Sequence, residues 1–475
     1  MGREEEIRKN KIEKLKQIEQ PYAYTFNKSN EISEIKQNYS EFESKQVSLA
    51  GRVMRIREHG KIIFLTLRGD DDIQLIVKDN ADLLQKVKKI IDQGDWIGVK
   101  GKVGKSHRGE ISVYVDSIEL LSKAIFPLPE KWHELSKEIR YKQRYLDLIM
   151  NLKTRKVFLM RSKLIKSIRS WLDKHGFLEV DVPLLQVVYG GARARPFKTY
   201  LHALKQELFL SISPELYLKR LLVGGFEKVY CITKCFRNEG IDRLHNPEFT
   251  MLEAYQAWID YNQVMQLVED LICEVASQLK LDLIKTEQGE IKLKKPFKRL
   301  TLFEALKKYA NIDPDKASRK ELLEVAVNSG LEIHPEIDTG MLIAELFEKL
   351  VQPKLIEPTH ILDWPKEVTP LCKLKRNNKD LVEKFETFIN GMEICNGYSE
   401  ENNPLREKEE LEKQAKEIKR GKEGHPYDAD FIHALELGMP SAGGFGLGID
   451  RLCMLLLNLK SIRDVILFPF MKPEE

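Results

Sequence analysis

From Gln46 onward the chain alternates apolar and polar residues in five short runs: VSLAGRVMRIR, KIIFLTLRG, DIQLIV, DWIGVKGKVGK and EISVYVDSIELL. Gly and Asp turns separate them. A period of two bounded by turn residues predicts half-buried β-strands. Between the third and fourth runs, ADLLQKVKKIIDQ spaces its apolar residues as a helix does.

Five strands with a helix after the third is the order of an OB-fold, a small barrel often used on single-stranded nucleic acid. Strand order alone does not force that fold. Upstream, residues 1 to about 20 mix Lys and Arg with Glu, which predicts a solvated helix. Downstream, FPLPEKW (Phe126 to Trp132) supplies the prolines of a linker, and helices and strands are mixed from about Tyr141 to the end. The densest charge run, Arg406 to Gly424, has helical spacing and reads as a further solvated helix. The expected organisation is a helical arm at 1–45, a barrel at 46–122, a linker at 123–150 and a large domain at 151–475.

Composition narrows this modestly. With 475 residues, 42% hydrophobic and 32% charged, the chain suits a soluble protein of two or three domains. A net charge of +4 is small for that length, so any nucleic-acid contact must come from a local patch. The six cysteines form no CxxC pair, which argues against a zinc knuckle or disulfide framework and for a reducing, cytoplasmic setting. The charged N-terminus has no secretory h-region, and no apolar run is long enough to predict a membrane span. Neither GxGxxG after a strand nor GxxxxGK[ST] is present.

Three stretches carry candidate chemistry. In CFRNEGIDRLHNPEFTMLEAY, Arg237 and Glu239 are two apart and would share a strand face. A turn at Gly240 would return His245 and Phe249 on a second strand. Arginine, histidine and an aromatic converging there could grip a nucleotide, the cation on phosphate and the ring on the base. Taken singly, they would also suit a surface ion pair and a core aromatic. In GGFGLGIDRLCMLL, Gly443, Gly444, Gly446 and Gly448 leave one strand face bare for a flat ligand, and Arg451 opens an apolar helix. In FETFINGMEICNGYSEENNP, Glu386 and Glu393 are seven apart, two helical turns or nearly one strand face. Two carboxylates beside ATP would suit Mg²⁺, which prefers oxygen ligands; alone they would suit a solvent-facing surface.

Together these strings resemble the class II aminoacyl-tRNA synthetases. FRNEGIDRLHNPEF is similar to their motif 2, GFGLGIDRL to motif 3, and GFLEVDVP (Gly176 to Pro183) to motif 1, whose proline lies at the dimer interface in that class. The HIGH and KMSKS strings of the other class are absent. Within class II the resemblance is to lysyl-tRNA synthetases, through GGARARPF, SPELYLKRLLVGGFEKVY, NPEFTMLEAY, EICNGYSE and RDVILFPFMKP. It runs from about Gln46 to the C-terminus. It implies an α+β protein: an N-terminal OB-fold β-barrel that binds the anticodon, then a class II catalytic domain built as an antiparallel sheet flanked by helices.

The resemblance also implies the reaction and its residues. Lysine is activated with ATP to lysyl-adenylate, then transferred to the 3′ end of tRNA(Lys). Arg237 holds the α-phosphate and the lysine carboxylate, and Glu239 and His245 place the nucleotide. Phe249 stacks on adenine, Arg451 reaches its other side and the phosphates, and Glu386 and Glu393 carry Mg²⁺, of which up to three ions accompany ATP. In the lysine pocket, Glu253 and Glu400 face the ε-ammonium with Tyr255 and Tyr398 beside them. Glu215 and the backbone of Gly191 hold the α-amino group, Asn396 the carboxylate, and Gly446 lines the site. Carboxylates are what a desolvated ammonium requires. A homodimer through motif 1 and a cytoplasmic location follow from the same likeness.

On the barrel, Arg57, Phe64, Gln74 and Glu110 align with anticodon-facing positions; Phe64 would equally suit the barrel core. Lys100, Lys102, Lys105 and Arg108 offer a basic patch for phosphates. Some positions depart from the family pattern: Tyr200-Leu201-His202, Ser211, Leu437 and Ala442, and the acidic turn Arg68 to Asp72. Two rival readings are a lysine-activating paralogue that modifies a protein and a catalytically silent tRNA-binding regulator. The barrel speaks against the first, and intact Arg237, Glu239, Glu386, Glu393 and Arg451 against the second.

Overall fold

A computed structural model describes residues 2–129, 136–286, 289–334, 336–419 and 424–472. The chain forms two compact units, Met1–Leu135 and Ser136–Glu475. The first contains helices α1 (Gly2–Lys16), α2 (Ile32–Gln37) and α3 (Tyr39–Phe42), strands β1 (Gln46–His59), β2 (Ile62–Arg68) and β3 (Asp72–Val77), helix α4 (Ala81–Ile90), and strands β4 (Trp96–Lys105) and β5 (Ile111–Ser122).

The five strands close a barrel in the order β1-β2-β3-β5-β4, with β4 paired back to β1. Alternation decides the two faces: Leu49, Ile63, Leu65, Leu67, Ile73, Leu75, Val99 and Val113 fill the interior. Helix α1 is mostly exposed but is tied to the barrel unit, since Lys11 Nζ donates to Gln93 O at 2.6 Å and Lys14 pairs with Asp92 at 2.7 Å. The acidic turn is internally neutralised. Asp70 accepts from the backbone N–H of Ile32 at 2.9 Å, Lys36 pairs with Asp71 at 2.9 Å, and Arg68 makes two 2.6 Å bonds to Asp72. The turn that departs from the family pattern therefore anchors α2.

The second unit begins with α5 (Lys137–Lys142), α6 (Arg144–Met150) and α7 (Leu152–Lys174). The expected linker is thus helical from residue 137 on. Buried Arg144 fastens it, pairing with Asp147 at 2.9 Å and donating to the carbonyls of Arg463 and Leu467. Residues 130–132 of the FPLPEKW string, 420–423 of the charge run and Pro473 of the last matched string lie outside the described residues; the charge run is helical from Arg406 to Lys419. There follow β6 (Leu178–Glu179), β7 (Leu185–Gln186), β8 (Lys198–Leu201), β9 (Gln206–Leu210), α8 (Glu215–Val223), β10 (Lys228–Phe236), β11 (Glu248–Ala257) and α9 (Tyr261–Gln278). Next come β12 (Leu283–Thr286), β13 (Gly289–Lys292), β14 (Lys298–Thr301), α10 (Leu302–Ala310), α11 (Arg319–Asn328), α12 (Thr339–Leu350), β15 (Thr359–Pro365) and β16 (Leu374–Lys375). The chain closes with β17 (Asn378–Ile389), β18 (Met392–Ser399), α13 (Pro404–Lys419), α14 (Ala429–Glu436), β19 (Ala442–Gly448) and α15 (Ile449–Leu456).

Among the described residues, a nine-stranded sheet runs β14-β15-β17-β18-β19-β11-β10-β6, with β16 beside β17. It is mixed rather than wholly antiparallel: β14 pairs with β15, and β6 with β10, in parallel. One face packs Phe385, Phe445 and Leu447 against Ile168, Val268 and Leu452 of α7, α9 and α15. The other face is covered by α8, α10, α12 and α14 around Phe347 and Trp364. The middle of that second face carries the polar side chains described next.

Candidate active site

The sheet register places the site. Met251, Glu253 and Tyr255 of β11 stand opposite Gly448, Gly446 and Gly444 of β19. The intervening Phe445 and Leu447 point into the apolar core, so the glycine strand shows side chains to one face and bare backbone to the other. At Gly444 an added Cβ would sit 2.3 Å from the Tyr255 ring and 2.5 Å from Glu400 Oε1. Gly191 has φ +86°, and a Cβ there would lie 2.6 Å from Ser213 Oγ. Both positions require glycine.

Glu386 and Glu393 reach one another by a device that their spacing of seven does not show. They lie on adjacent antiparallel strands, Glu386 opposite Asn396 and Phe388 opposite Glu393. The register shifts after Thr387, which faces Cys395, so Ile394 is an extra residue in β18. That bulge turns Glu393 onto the face of Glu386 and Asn396. The helical alternative is excluded.

Two adjoining cavities open on this face, of about 560 and about 580 Å³. The first is lined by Gly191, Glu215, Glu253, Tyr255 and Tyr398, and the second by Glu239, His245, Phe249, Glu393 and Arg451. Arg237, Glu386, Asn396 and Gly446 line both. Every residue expected in the catalytic domain therefore borders one cavity or the other, with one exception. Glu400 is wholly buried behind the first cavity, where its carboxylate pairs with Lys219 at 2.6 Å.

Arg237 and Glu239 are not on a strand. β10 ends at Phe236, and both lie in the loop beyond it, as does His245 before β11 begins at Glu248. Strand pairing still brings Cys235 opposite Phe249. The Arg237 guanidinium sits 5.1 Å from the Phe249 ring centre. Among the described residues no carboxylate pairs with it. Arg451 donates to Glu393 Oε2 at 3.0 Å and to His245 Nε2 at 3.2 Å. Because arginine only donates, His245 Nε2 accepts, and its proton stands on Nδ1 facing Asp242 Oδ2 at 2.8 Å.

The first cavity is acidic at its inner end. Glu253 lies on a strand, buried, and accepts from Ser213 Oγ at 2.8 Å and Tyr255 OH at 3.0 Å. Burial, and then the nearby Glu215, push its carboxyl up to about 8. Glu348 of α12 lines both cavities, and burial together with Glu386 and Glu393 raises its carboxyl to about 7. Lys384 binds Glu386 at 2.6 Å. Glu348, Glu386 and Glu393 line the second cavity together and offer only oxygen, the donor a hard divalent cation prefers, with Lys384 and Arg451 already paired to Glu386 and Glu393. Among the described residues no group of three or more His, Cys, Asp or Glu side chains could hold a metal by itself.

Sequence reasoning missed Lys219, Ser213, Glu348 and Lys384. Lys219 had a signal, since Glu215 and Lys219 are four apart on one helix and form an i,i+4 ion pair at 2.6 Å. Glu348 had none, because α12 reaches the site only through tertiary packing. Of the family departures, Ser211 is buried, accepting from Gln186 and donating to Ser213 O, whereas Tyr200, Leu201 and Leu437 are exposed and Ala442 is core.

On the barrel, Arg57 pairs with Phe64 across β1 and β2, and Thr66 with Gln74 across β2 and β3. Gln74 Nε2 donates to Glu110 at 2.9 Å. Ile63 and Leu65 point inward, so Phe64 faces outward and is not a core residue. Lys100, Lys102, Lys105 and Arg108 are exposed.

Residues 136–472 match the family described as tRNA synthetases class II (D, K and N), and residues 47–121 match an OB-fold nucleic acid binding domain. A lysine–tRNA ligase of Moorella thermoacetica is 47% identical over 480 residues, covering 98% of this chain and 97% of that protein. Lysine–tRNA ligase 2 of Methanosarcina acetivorans is 48% identical over 467 residues, covering 96% and 91%. The lysine–tRNA ligase of Carboxydothermus hydrogenoformans is 45% identical over 487 residues, covering 99% of each.

Proposed function

Given that the chain belongs to the class II lysine–tRNA ligases, we propose a division of labour among the residues of its two cavities. The activity itself is the ATP-dependent joining of lysine to tRNA. In the first step a carboxylate oxygen of lysine attacks the α-phosphorus of ATP, the bond to the β-phosphate oxygen breaks, and pyrophosphate leaves. In the second, a ribose hydroxyl of the terminal tRNA nucleotide attacks the acyl carbon and AMP departs. No protein nucleophile is needed, so the residues act by positioning and charge.

The observation that carries the assignment is Arg237, which borders both cavities and has no carboxylate partner among the described residues. It is where the substrate carboxylate and the α-phosphate must meet, and its guanidinium neutralises both. Phe249 stacks on adenine, Arg451 covers the opposite side, and Glu239 and His245 place the nucleotide. Glu386 and Glu393, with Glu348 facing them, would hold Mg²⁺, which when bound supplies charge neutralisation at phosphate oxygens. In the first cavity Glu215 and the Gly191 backbone take the α-amino group, Asn396 the carboxylate, and Glu253 and Glu400 with Tyr255 and Tyr398 the ε-ammonium. The depth of Glu400 makes Glu253 the carboxylate in direct reach.

Arg57, Phe64, Gln74 and Glu110 read anticodon bases, the aromatic by stacking and the others at base edges, while the exposed lysines meet phosphates. A homodimer through motif 1 accounts for the exposed Leu178, Leu184, Leu185 and Val187 around Pro183. Six unpaired thiols agree with a cytoplasmic setting, and among the described residues no helix is long and apolar enough to cross a membrane.

The test is ATP–pyrophosphate exchange. Exchange should require lysine and Mg²⁺, and lysine should appear on tRNA(Lys) when total tRNA is charged. Exchange that ignored Mg²⁺, or ran without lysine, would sink the assignment.

A further inference from the structure

Behind the first cavity lies a buried charge cluster that the reaction does not use directly. Lys219 of α8 is wholly buried. Its ammonium pairs with Glu215 Oε1 at 2.6 Å and with Glu400 Oε2 at 2.6 Å, and it stands 5.4 Å from the centre of the Tyr398 ring. Glu407 of α13, also buried, is a further carboxyl nearby. Lys219 borders neither cavity. Burial works against its charge, but Glu215 and Glu400 outweigh that and hold its pKa well above the ordinary value.

Two carboxylates on different elements, helix α8 and the residue after β18, would otherwise repel and drift apart or share a proton. One ammonium bonded to both holds them at one separation. These are the carboxylates assigned above to opposite ends of the same substrate. Their separation is therefore a ruler for the distance between its two amino groups.

We propose that Lys219 is a specificity-determining positioning residue: by bridging Glu215 and Glu400 it fixes the distance between the carboxylate at the α-amino end of the pocket and the one that backs Glu253 at the ε-ammonium end, and so sets the side-chain length the pocket accepts. The proposal rests on the assignment of Glu215 and Glu400 to the lysine pocket.

The experiment is ATP–pyrophosphate exchange with lysine and with ornithine, one methylene shorter, on the full chain and on Lys219→Ala, Lys219→Met and Glu215→Gln, each first checked for a cooperative thermal transition. In Lys219→Ala the KM for lysine should rise about 10- to 100-fold, the loss expected when a charged hydrogen-bond partner disappears. kcat should stay within about threefold, because Arg237 and the ATP cavity are untouched. Preference for lysine over ornithine should fall by about tenfold. Ethylammonium should restore the lysine KM in Lys219→Ala but not in Lys219→Met, whose apolar chain fills the space.

Unchanged KM and unchanged preference in folded Lys219→Ala overturn the proposal. A raised KM that ethylammonium leaves alone overturns it too, since packing and not the ammonium would then be at work. If the single variants do not fold, Lys219→Met combined with Glu407→Gln also replaces the neighbouring buried carboxyl, which burial pushes up to about 8, with a neutral amide. It carries the same KM and preference readings, with Glu407→Gln as its reference. Glu215→Gln separates the two levels: a normal lysine KM there defeats the pocket assignment itself, whereas a raised one beside a normal Lys219→Ala defeats the role of Lys219 alone.

Discussion

Arg451 grips Glu393 twice, through the carboxylate at 3.0 Å and through its backbone carbonyl at 3.1 Å. The start of α15 and the bulged strand β18 are thereby joined at one point. Arg451→Ala releases that joint and leaves Glu393 without its cation. The expected result is a loss of exchange of roughly 100-fold, in line with removing one charge-stabilising donor. The KM for ATP should rise well beyond the KM for lysine. Initial-rate kinetics varying each substrate in turn check this, and an equal rise in both would contradict it.

Much of this site can be read in the chain before folding. The glycine strand, Phe249 on its strand and the five-stranded barrel follow from local pattern or from ordered strings, whereas Arg237 and Glu239, expected on a strand face, lie in the loop beyond Phe236. What could not be read was how strands are offset. The register slip at Ile394 aims Glu393, and a bulge leaves no mark in composition. The hairpin joining the two glutamates did leave a sign, in Asn390-Gly391. Both residues have positive φ, 54° and 73°, as a two-residue turn demands. Helix-borne contributions such as Glu348, and the depth of Glu400, depend on tertiary packing and have no local signal.

Glu253 gives the lysine pocket a pH dependence. Burial and Glu215 raise its carboxyl to about 8, opposed by hydrogen bonds from Ser213 and Tyr255 and by Arg237. The folded group therefore keeps its proton over a range, from about 4.5 to about 8, in which the unfolded chain has lost it. Without lysine, stability falls as pH rises through that window. A bound ammonium favours the ionised carboxylate, so lysine binding should strengthen between about pH 6.5 and 8.5. The limit is tenfold per pH unit, for one proton released. The thermal shift produced by lysine should grow across the same range, and Glu253→Gln should flatten it. A shift independent of pH in the unaltered protein refutes this.

Gly444 and Gly446 stand two apart on the same strand face but should differ sharply. At Gly444 a methyl group meets the Tyr255 ring and Glu400, whereas at Gly446 its nearest neighbour is the flexible end of Met251 at 3.1 Å. Gly444→Ala should cost about 1–3 kcal/mol of stability through overpacking and should weaken lysine binding. Gly446→Ala should leave the fold nearly unchanged. Denaturant unfolding with a lysine titration distinguishes them; equal losses would show that the strand, and not the crowding, decides.

The two units should separate by assay. Arg237→Ala should reduce exchange about 100- to 1,000-fold. Phe64→Ala should leave exchange intact and weaken tRNA charging by roughly 5- to 100-fold, the worth of one stacked base. If the two variants fail in the same assay, the barrel is not the reader of tRNA.

The wall that the two cavities share has a consequence for the time course of the reaction. With the proposed assignment of the two cavities, once the amino acid and the nucleotide are joined, one molecule is anchored at both ends of a single trough. Letting go at one end leaves the other fastened, with the loose end at a local concentration of millimolar order, so re-seating outpaces escape. A reactive intermediate tethered in this way can wait for a slow, bulky acceptor, because leaving requires both anchorages to fail together.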